Sequence, residues 1–257
     1  MKLGTDIRAI WIASVPRTGS MWTFNVARDL VRSTSRPALP EIVPQGDAEM
    51  EAIGRQGIAA QDGVYVLKVH TPIAGDLAAS MFLVTRRDIH DSLVSFMRFT
   101  HADFDAGLRF VAGAIRLDEH YSRLPADRTL AIDYADIIAA PARVVAAIAA
   151  RLSIEASEPL IAEIVERYSK RNVVSRVSAR EAMLREQIST GQPVDRRDFV
   201  PQPDKSLRAF DPATGFQSGH VSAYQEGDWR QILTASQQAA LEALIAEGKA
   251  WRARQPS

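Results

Sequence analysis

An α/β protein, with a central parallel sheet and helices on both of its faces, is the fold class that the sequence predicts. Short apolar runs typical of buried strands recur at 8–14, 64–69, 81–85 and 129–133. A helical or loop segment follows each run, and this alternation is typical of parallel sheets with helical crossovers. The chain has 257 residues, of which 46% are apolar, which is enough to bury one large core. We therefore expect a single domain.

Helical periodicity is clearest in six segments, which are 20–33, 88–99, 104–123, 134–153, 157–170 and 234–252. The last segment begins at Thr234, and Gln237 three residues later completes the pattern of a capping box. Two further segments lack such periodicity. The segment at 34–62 is predicted to be an irregular insertion. The polar segment at about 172–228 is predicted to be an irregular lid, because long stretches without periodicity are usually functional loops or mobile segments.

The composition excludes several classes of function. Lys plus Arg equals Asp plus Glu at 31 each, so no charge excess favours nucleic acid or an acidic membrane surface. The chain has no cysteine, and its five histidines are scattered, so we expect no metal site. No apolar run reaches membrane-spanning length, and residues 9–15 are predicted to be a buried strand rather than a leader. We expect a cytoplasmic protein, and its oligomeric state stays open.

The stretch AIWIASVPRTGSMWTFNVARDL, residues 9–30, is predicted to be a strand, a tight loop and a helix. The backbone N–H groups of such a loop lack partners, so they form an anion site that the helix dipole reinforces. Arg17, Thr18 and Ser20 add a charge and two hydroxyl donors. The loop lacks the Gly-Lys-Ser/Thr ending of a Walker A loop. We predict a phosphate-like ligand that is bound without the usual machinery for nucleoside triphosphates.

A second motif follows the predicted strand at 81–85. Arg87, Asp91 and Ser95 are four residues apart, so they share one stripe of the following helix. In that arrangement Arg87 and Ser95 can converge on one phosphate. The alternative interpretation is a solvated helix face with an Arg–Asp pair.

A third motif is VLKVHTP, at the end of the predicted strand at 64–69. Lys68 and His70 alternate with Val69, so both side chains leave the same face of the strand. The unperturbed pKa of a histidine lies near neutrality, so His70 suits the role of a general base. The alternative interpretation is a structural histidine.

These motifs together resemble the sulfotransferases of the cytosolic type, which use 3′-phosphoadenosine 5′-phosphosulfate (PAPS). SVPRTGSMW is similar to the family's 5′-phosphosulfate loop T-Y-P-K-S-G-T-T-W, with Arg17 in place of the usual lysine. The residues that are identical to the family's loop, or close to it in type, are Ser14, Pro16, Gly19, Ser20 and Trp22. The family's 3′-phosphate motif has the spacing of Arg87, Asp91 and Ser95, and its Lys-Thr-His-Leu-Pro motif matches Lys68 and His70.

The resemblance implies a P-loop-like three-layer fold and a set of site residues. His70 is then the general base, and Lys68 and Arg17 stabilise the leaving phosphate. Trp22 stacks on adenine, and Tyr134, in a segment similar to the family's Tyr-Glu-Asp, approaches it. The remaining nucleotide-binding residues that the resemblance implies are Arg17, Thr18, Gly19, Ser20, Met21, Arg87 and Ser95.

One part of the family pattern is missing. GHVSAYQEGDWRQIL resembles the family's Gly-Asp-Trp-Lys segment, here Gly227 to Arg230. The Arg-Lys-Gly that usually precedes it and clamps the 3′-phosphate is absent. The candidates for its replacement are His220, Ser222, Arg176 and Arg180.

The expected function is transfer of a sulfuryl group from PAPS to a hydroxyl or amine of a small molecule, without a metal. Two alternatives remain, a P-loop-type kinase that uses ATP and an inactive nucleotide-binding sensor. The acceptor pocket is expected from 34–62, the segment after His70, Phe96, Phe99 and the lid. The sequence leaves the identity of the acceptor open.

Overall fold

Five parallel strands form the centre of the computed structural model, in the order β2-β3-β1-β4-β5. The structure describes residues 7–57, 63–73, 77–202, 206–221 and 225–253. The strands of the sheet are β1 (Ala9–Ser14), β2 (Ala38–Leu39), β3 (Val64–Val69), β4 (Ser80–Arg86) and β5 (Thr129–Asp133). The four strands expected from the sequence are confirmed to within one residue at each end, and the predicted α/β fold class is confirmed with them.

Ten helices are present in the described part of the chain, together with short 3₁₀ turns at Ala126–Arg128 and Arg196–Asp198. They are α1 (Ser20–Arg32), α2 (Asp47–Gly57), α3 (Ile89–Thr100), α4 (Phe104–Ser122), α5 (Tyr134–Ala139), α6 (Pro141–Arg151), α7 (Glu158–Arg167), α8 (Lys170–Ser189), α9 (Trp229–Ile232) and α10 (Ala235–Ala253). None of these helices is long and apolar enough to cross a membrane.

Two details of the helices follow from local chemistry. The single helix predicted at 134–153 is two helices, because Pro141 has no N–H to continue a helix and instead occupies the first turn of α6. The capping box of α10 is confirmed. The backbone N–H of Thr234 donates to Gln237 Oε1 at 2.9 Å, and that of Gln237 donates to Thr234 Oγ1 at 3.3 Å.

Helices cover both faces of the sheet. Trp11 is in register with Leu67 and Phe82, so these three side chains share one face. On this face α2 approaches so closely that a Cβ added to Gly54 would lie 2.6 Å from the Trp11 ring. The helix α4 also lies there, where its Asp118 pairs with Arg86 of β4 at 3.4 Å. On the other face α1 packs against β1, β3 and α6.

The two segments predicted to be irregular contain regular structure. Residues 34–62 include β2 and α2. In the predicted lid, residues 172–189 belong to α8, so the prediction of irregular backbone is wrong there. The reason is that α8 buries only Val173, Val177 and Leu184, which leaves little apolar periodicity to detect. Beyond α8, β6 (Phe199–Pro201) and β7 (Leu207–Ala209) form a small antiparallel sheet.

Candidate functional site

The carboxyl ends of three neighbouring strands carry the candidate site. The loop that predicts an anion site follows β1, His70 follows β3, and Arg87 follows β4. Ala13 is in register with Val69 and Ser14 with Thr85, so the three strands end at the same edge of the sheet. Ligands of open α/β sheets bind outside this edge. The three predicted motifs therefore meet in one place.

The loop after β1 has the strained backbone of an anion-binding turn. Arg17 has φ 72° and Gly19 has φ 92°, both in the left-handed region. A Cβ added to Gly19 would lie 2.8 Å from Ile137 Cδ1, so a larger residue does not fit. The Thr18 hydroxyl donates to the Val15 carbonyl at 2.7 Å, and the Thr18 and Thr85 hydroxyl oxygens are 2.7 Å apart. The Thr18 hydroxyl therefore fixes the conformation of the loop.

Arg17 connects the loop to the motif on α3. Its Nε donates to Ser95 Oγ at 3.0 Å, and its Nη2 donates to the His220 carbonyl at 3.1 Å. The guanidinium lies 4.2 Å from the centre of the Phe99 ring. Burial, and then the nearby charges of Arg87 and other cations, lower the pKa of Arg17 to about 10. The loop thus presents a partly buried cation whose side chain contacts Ser95, the His220 carbonyl and the Phe99 ring.

Arg87 lies between the loop and the start of α5. Its Nη1 donates to the Arg17 carbonyl at 3.3 Å, and its guanidinium lies 4.2 Å from the centre of the Tyr134 ring. Its Nε is buried without a hydrogen-bond partner among the described residues. The Arg87–Asp91 ion pair of the alternative interpretation is absent from the described structure. The Asp91 carboxylate instead accepts from the Gly227 N–H, at 3.0 and 3.1 Å.

A third guanidinium, that of Arg208, was not anticipated from the sequence. It lies 4.1 Å from the centre of the Phe99 ring and donates to the Phe99 carbonyl. Arg208 and Arg87 both lower the pKa of Arg17 by repulsion. Within the described structure, neither Arg17 nor Arg87 forms an ion pair with a carboxylate. Three guanidinium groups therefore lie close together around the Phe99 ring and the loop after β1, an arrangement that suits an anionic ligand.

His70 and Lys68 extend this cluster at the end of β3. The Nδ1 atom of His70 is 2.7 Å from the Ser14 carbonyl, which can only accept, so Nδ1 carries the hydrogen. The Nε2 atom then has a free lone pair, and the Lys68 Nζ lies 3.2 Å from it. Burial, and then the charge of Lys68, lower the pKa of His70 well below 6.5. The imidazole is therefore neutral near pH 7, with Nε2 as its basic atom.

Asp47, in the first turn of α2, supports this pair and was also missed from the sequence. Its Oδ2 accepts from the backbone N–H of His70 at 2.8 Å, and its Oδ1 lies 3.9 Å from Lys68 Nζ. Burial lowers the pKa of Lys68, whereas the charge of Asp47 raises it. No local pattern in the segment 34–62 marks this aspartate, because it meets His70 only through the packing of α2 against β3.

The remaining predicted nucleotide-binding residues surround the loop. Ser20 and Met21 begin α1 and are buried, and Trp22 is half-buried and packs at the edge of the core. Tyr134 begins α5 directly after β5, which places its ring beside Gly19 as well as under Arg87. The structure thus brings the predicted loop, the α3 motif and Tyr134 together.

A cleft of about 630 Å³ opens beside this cluster. Arg87, Tyr134, Gly227 and Trp229 line it, and the acidic side chains in its wall outnumber the arginines. Arg87 is therefore the residue that joins this acidic cleft to the loop that carries Arg17.

Three of the four candidates for the missing clamp lie in the described part of the chain, and their contacts differ. Arg180 pairs with Asp198, and Arg176 Nη1 lies 4.0 Å from Asp211 Oδ2, so both lid arginines face carboxylates of their own segment. Ser222 lies outside the described residues. His220 alone of the described candidates contacts the cluster, through its carbonyl to Arg17.

Two phenylalanines were predicted to line an acceptor pocket, and their surroundings differ. Phe96 stacks on Phe110 of α4, with ring centres 4.2 Å apart. Phe99 lies under Arg17 and Arg208, and His220 stacks on it at 5.2 Å. Phe99 is therefore the phenylalanine that contacts the cationic cluster.

In the described part of the chain, no group of three or more His, Cys, Asp or Glu side chains is arranged to hold a metal.

Comparisons with known proteins agree with this architecture. No protein-family model matches the sequence, and no curated protein sequence does. Among solved structures, retinol dehydratase in complex with androsterone and the inactive cofactor PAP matches with a TM-score of 0.59 and 14% identity, over 96% of this chain and 82% of that one. Mouse sulfotransferase SULT7A1 complexed with PAP matches with the same score and identity, over 95% and 84%. At 14% identity the likeness shows the fold alone, and it confirms the fold predicted from the resemblance to sulfotransferases.

Proposed function

We propose that the protein is a sulfotransferase that moves a sulfuryl group from PAPS to a hydroxyl or amine of a small molecule. One observation carries this proposal. The buried cationic cluster around Arg17 meets a neutral imidazole, that of His70, at the end of β3. A polyanionic donor and a general base for an acceptor are the two things that sulfuryl transfer requires. Solved structures with a similar fold were crystallised with PAP, which supports the proposal.

The donor fits the residues that are present. The loop after β1 offers N–H groups at the start of α1, where the helix dipole favours an anion. Arg87 Nε is buried without a partner in the described structure, as a donor awaiting an acceptor would be. We assign the 5′-phosphosulfate to the loop, Arg17 and Lys68. We assign the 3′-phosphate to Arg87 and to Ser95, which Arg17 already contacts.

Arg208, which contacts Phe99 beside Arg17, is proposed to fill a role that the family pattern leaves vacant here. The usual Arg-Lys-Gly before Gly227 is absent from the sequence. Arg208 comes from β7 instead, and it acts electrostatically on Arg17. We assign to Arg208 part of the charge that the missing residues supply in the family. Adenine is assigned to the space beside Trp22 and Tyr134.

The proposed reaction uses His70 as a base and two cations on the leaving side. The acceptor oxygen forms a bond to sulfur while its proton passes to His70 Nε2. The bond between sulfur and the 5′-phosphate oxygen breaks, and the bisphosphate leaves with the bonding electrons. Lys68 and Arg17 stabilise the charge that develops on that phosphate oxygen. In the present structure Lys68 Nζ lies 3.2 Å from His70 Nε2. Binding of the donor is expected to draw this ammonium group toward the phosphate, which leaves Nε2 for the acceptor proton.

The acceptor is proposed to be a small hydroxylated molecule. The ring of Phe99 borders Arg17 and gives the proposed transfer centre an apolar side. Retinol dehydratase was crystallised with androsterone in one structure and with retinol in another. These are apolar alcohols, and an acceptor of that class is consistent with the apolar border here.

The kinase alternative is disfavoured by the same geometry. The loop ends without the Gly-Lys-Ser/Thr that holds magnesium and a triphosphate. An inactive sensor needs no general base, so this alternative does not explain the neutral His70 beside Lys68. Neither alternative accounts for the base and the cations together.

Two measurements test the proposal. Isothermal titration is expected to show tighter binding of adenosine 3′,5′-bisphosphate (PAP) than of ATP, and the reverse order would favour the kinase. Incubation with PAPS and a library of alcohols and amines is expected to yield products that are heavier by one sulfuryl group in mass spectra. Tight PAP binding without any sulfated product from a broad library would favour the sensor.

A further inference from the structure

His220 is a second imidazole at the transfer centre that the roles above do not use. Its ring is half-buried, stacked on Phe99 at 5.2 Å and edge-on to Phe216 at 6.1 Å. Its carbonyl accepts from Arg17 Nη2 at 3.1 Å. The ring is therefore fixed between an aromatic wall and the cationic cluster.

The hydrogen bonds of His220 determine which nitrogen carries its hydrogen. The backbone N–H of Gln217 donates to His220 Nδ1 at 2.9 Å, so Nδ1 provides a lone pair. In the neutral ring the hydrogen is then on Nε2. This Nε2–H has no hydrogen-bond partner among the residues that the structure describes. His70 has the opposite tautomer, with hydrogen on Nδ1 and a lone pair on Nε2.

The contact of the His220 carbonyl with Arg17 and the stacking of its ring on Phe99 place His220 at the cationic cluster. Burial lowers the pKa of His220 well below 6.5, and the nearby cations Arg17, Lys68 and Arg208 lower it further, in that order. Lys68 and His70 define the end of the site where the sulfuryl group moves. A neutral ring in such surroundings offers a hydrogen-bond donor that does not titrate near pH 7.

We infer that His220 is a further catalytic residue, which donates its Nε2–H to an oxygen of the sulfuryl group during transfer. The inference rests on the proposed function. The sulfuryl oxygens are anionic acceptors, and a fixed neutral donor stabilises them without exchanging a proton. His220 thereby complements His70, since one imidazole takes the proton of the acceptor and the other binds the group in transit. The bonds that form and break are unchanged.

Substitution by two amides separates the two ring nitrogens. His220→Gln places an amide donor near the position of Nε2, whereas His220→Asn keeps an acceptor near Nδ1 and removes the Nε2 donor. We expect His220→Asn to lower kcat by roughly a hundredfold, the usual loss for one such donor, and His220→Gln to retain clearly more activity. The dissociation constant for PAP, which lacks the sulfuryl group, should change little in both variants. His101→Asn, at an exposed residue with φ 55°, is the control and should match the wild type.

The outcomes distinguish this inference from the proposed function. If the wild type neither binds PAP nor transfers sulfate, the proposed function fails. If the wild type is active and His220→Asn keeps kcat within twofold, the inference fails alone. A parallel loss of PAP affinity in His220→Asn would assign the ring to the nucleotide and also overturn the inference. Should the Asn variant melt early, His220→Gln is compared with His220→Met, which has similar length and no donor; equal kcat values would refute the inference.

Discussion

At the scale of single residues, His70 shows how a site fixes one protonation state. The Ser14 carbonyl accepts a hydrogen bond from the Nδ1–H of His70, and burial beside Lys68 opposes the binding of a second proton to the ring. An isolated histidine would be partly protonated near its ordinary pKa of about 6.5. In this site the imidazole is neutral at neutral pH, and Lys68 Nζ lies 3.2 Å from its Nε2.

His70→Ala is expected to lower kcat by at least roughly a hundredfold, because the acceptor proton then has no base. The dissociation constant for PAP should change little. A matched control is His101→Ala, at an exposed residue of the chain. Wild-type kcat for His70→Ala, measured where chemistry limits the rate, would assign the proton to another group.

The pH dependence of the wild type follows from the direction of the His70 pKa. The base works only when neutral, and its pKa in the free protein is well below 6.5. The plot of kcat/KM, which reports groups of the free enzyme, should therefore stay level as pH falls from 8 to about 6.5 and decline only at lower pH. A half-maximal point at or above pH 6.5 would contradict the assigned surroundings of His70.

Arg17 contributes charge and geometry together. Its guanidinium contacts Ser95 and the His220 carbonyl through different nitrogens. Arg17→Ala should weaken PAP binding and lower kcat by roughly 10²-fold, since a buried donor on the leaving phosphate is lost. Arg17→Lys keeps the charge and should recover most of the rate, although it cannot keep both contacts. Titration calorimetry and steady-state kinetics measure the two effects, and unchanged kinetics in the alanine variant would remove Arg17 from the leaving side.

At the scale of elements, α1 organises the loops around the site through Arg28. This side chain is fully buried, and burial lowers its pKa to about 10. Its guanidinium donates to the carbonyls of Pro40, Glu41 and Ala213, at 2.6 to 2.9 Å. One residue of α1 thus joins the segment that precedes α2 to the segment that follows β7. These are the segments that deliver Asp47 and His220.

Arg28→Met should lower the free energy of unfolding by about 3 kcal/mol, because three carbonyls lose charge-assisted hydrogen bonds inside the protein. The comparison is Arg32→Met on the same helix, where a half-exposed arginine pairs with Asp29 at 3.3 Å. That change should cost less than about 0.5 kcal/mol. Urea denaturation measures both. Equal losses for the two variants would show that the buried contacts of Arg28 do not anchor the loops.

At the scale of the whole molecule, the anion site is drawn from distant parts of the chain. Arg17 follows β1, Arg87 follows β4, and Arg208 lies on β7 of the small sheet. The charges of Arg87 and Arg208 both act repulsively on Arg17. A polyanionic ligand that relieves this repulsion should therefore stabilise the fold.

PAP at 100 times its dissociation constant should stabilise the wild type by about 2.7 kcal/mol and raise Tm by roughly 5 to 10 °C. Adenosine 5′-monophosphate at the same concentration should raise Tm much less, because it lacks the 3′-phosphate assigned to Arg87. Arg87→Ala should bring the two shifts close together. Arg176→Ala, at a lid arginine directed to Asp211, is the control and should keep the difference. Equal shifts for both nucleotides in the wild type would refute the PAPS assignment. Differential scanning fluorimetry measures all of these shifts.

The sequence by itself predicted four of the five central strands, most of the long helices and the motifs that are proposed to bind the donor. Apolar runs and capping signals are local, so β3 and the capping box of α10 were predicted correctly. The spacing within VPRTGS and between Arg87 and Ser95 is also local, and these motifs meet because parallel strands end at one edge of the sheet.

The tertiary structure decided the rest. Asp47, Arg208 and His220 come to the cluster from α2, from the small sheet and from the turn after it, and no local pattern specifies those contacts. The helix α8 was not predicted from the sequence, because most of its side chains face solvent and it has little apolar periodicity. Long-range hydrogen bonds to Ser14 and Gln217 set the tautomers of His70 and His220, and burial lowers the pKa values of both. Long-range packing determines which charges meet and how far water is excluded from them, and those two quantities give this site its chemistry.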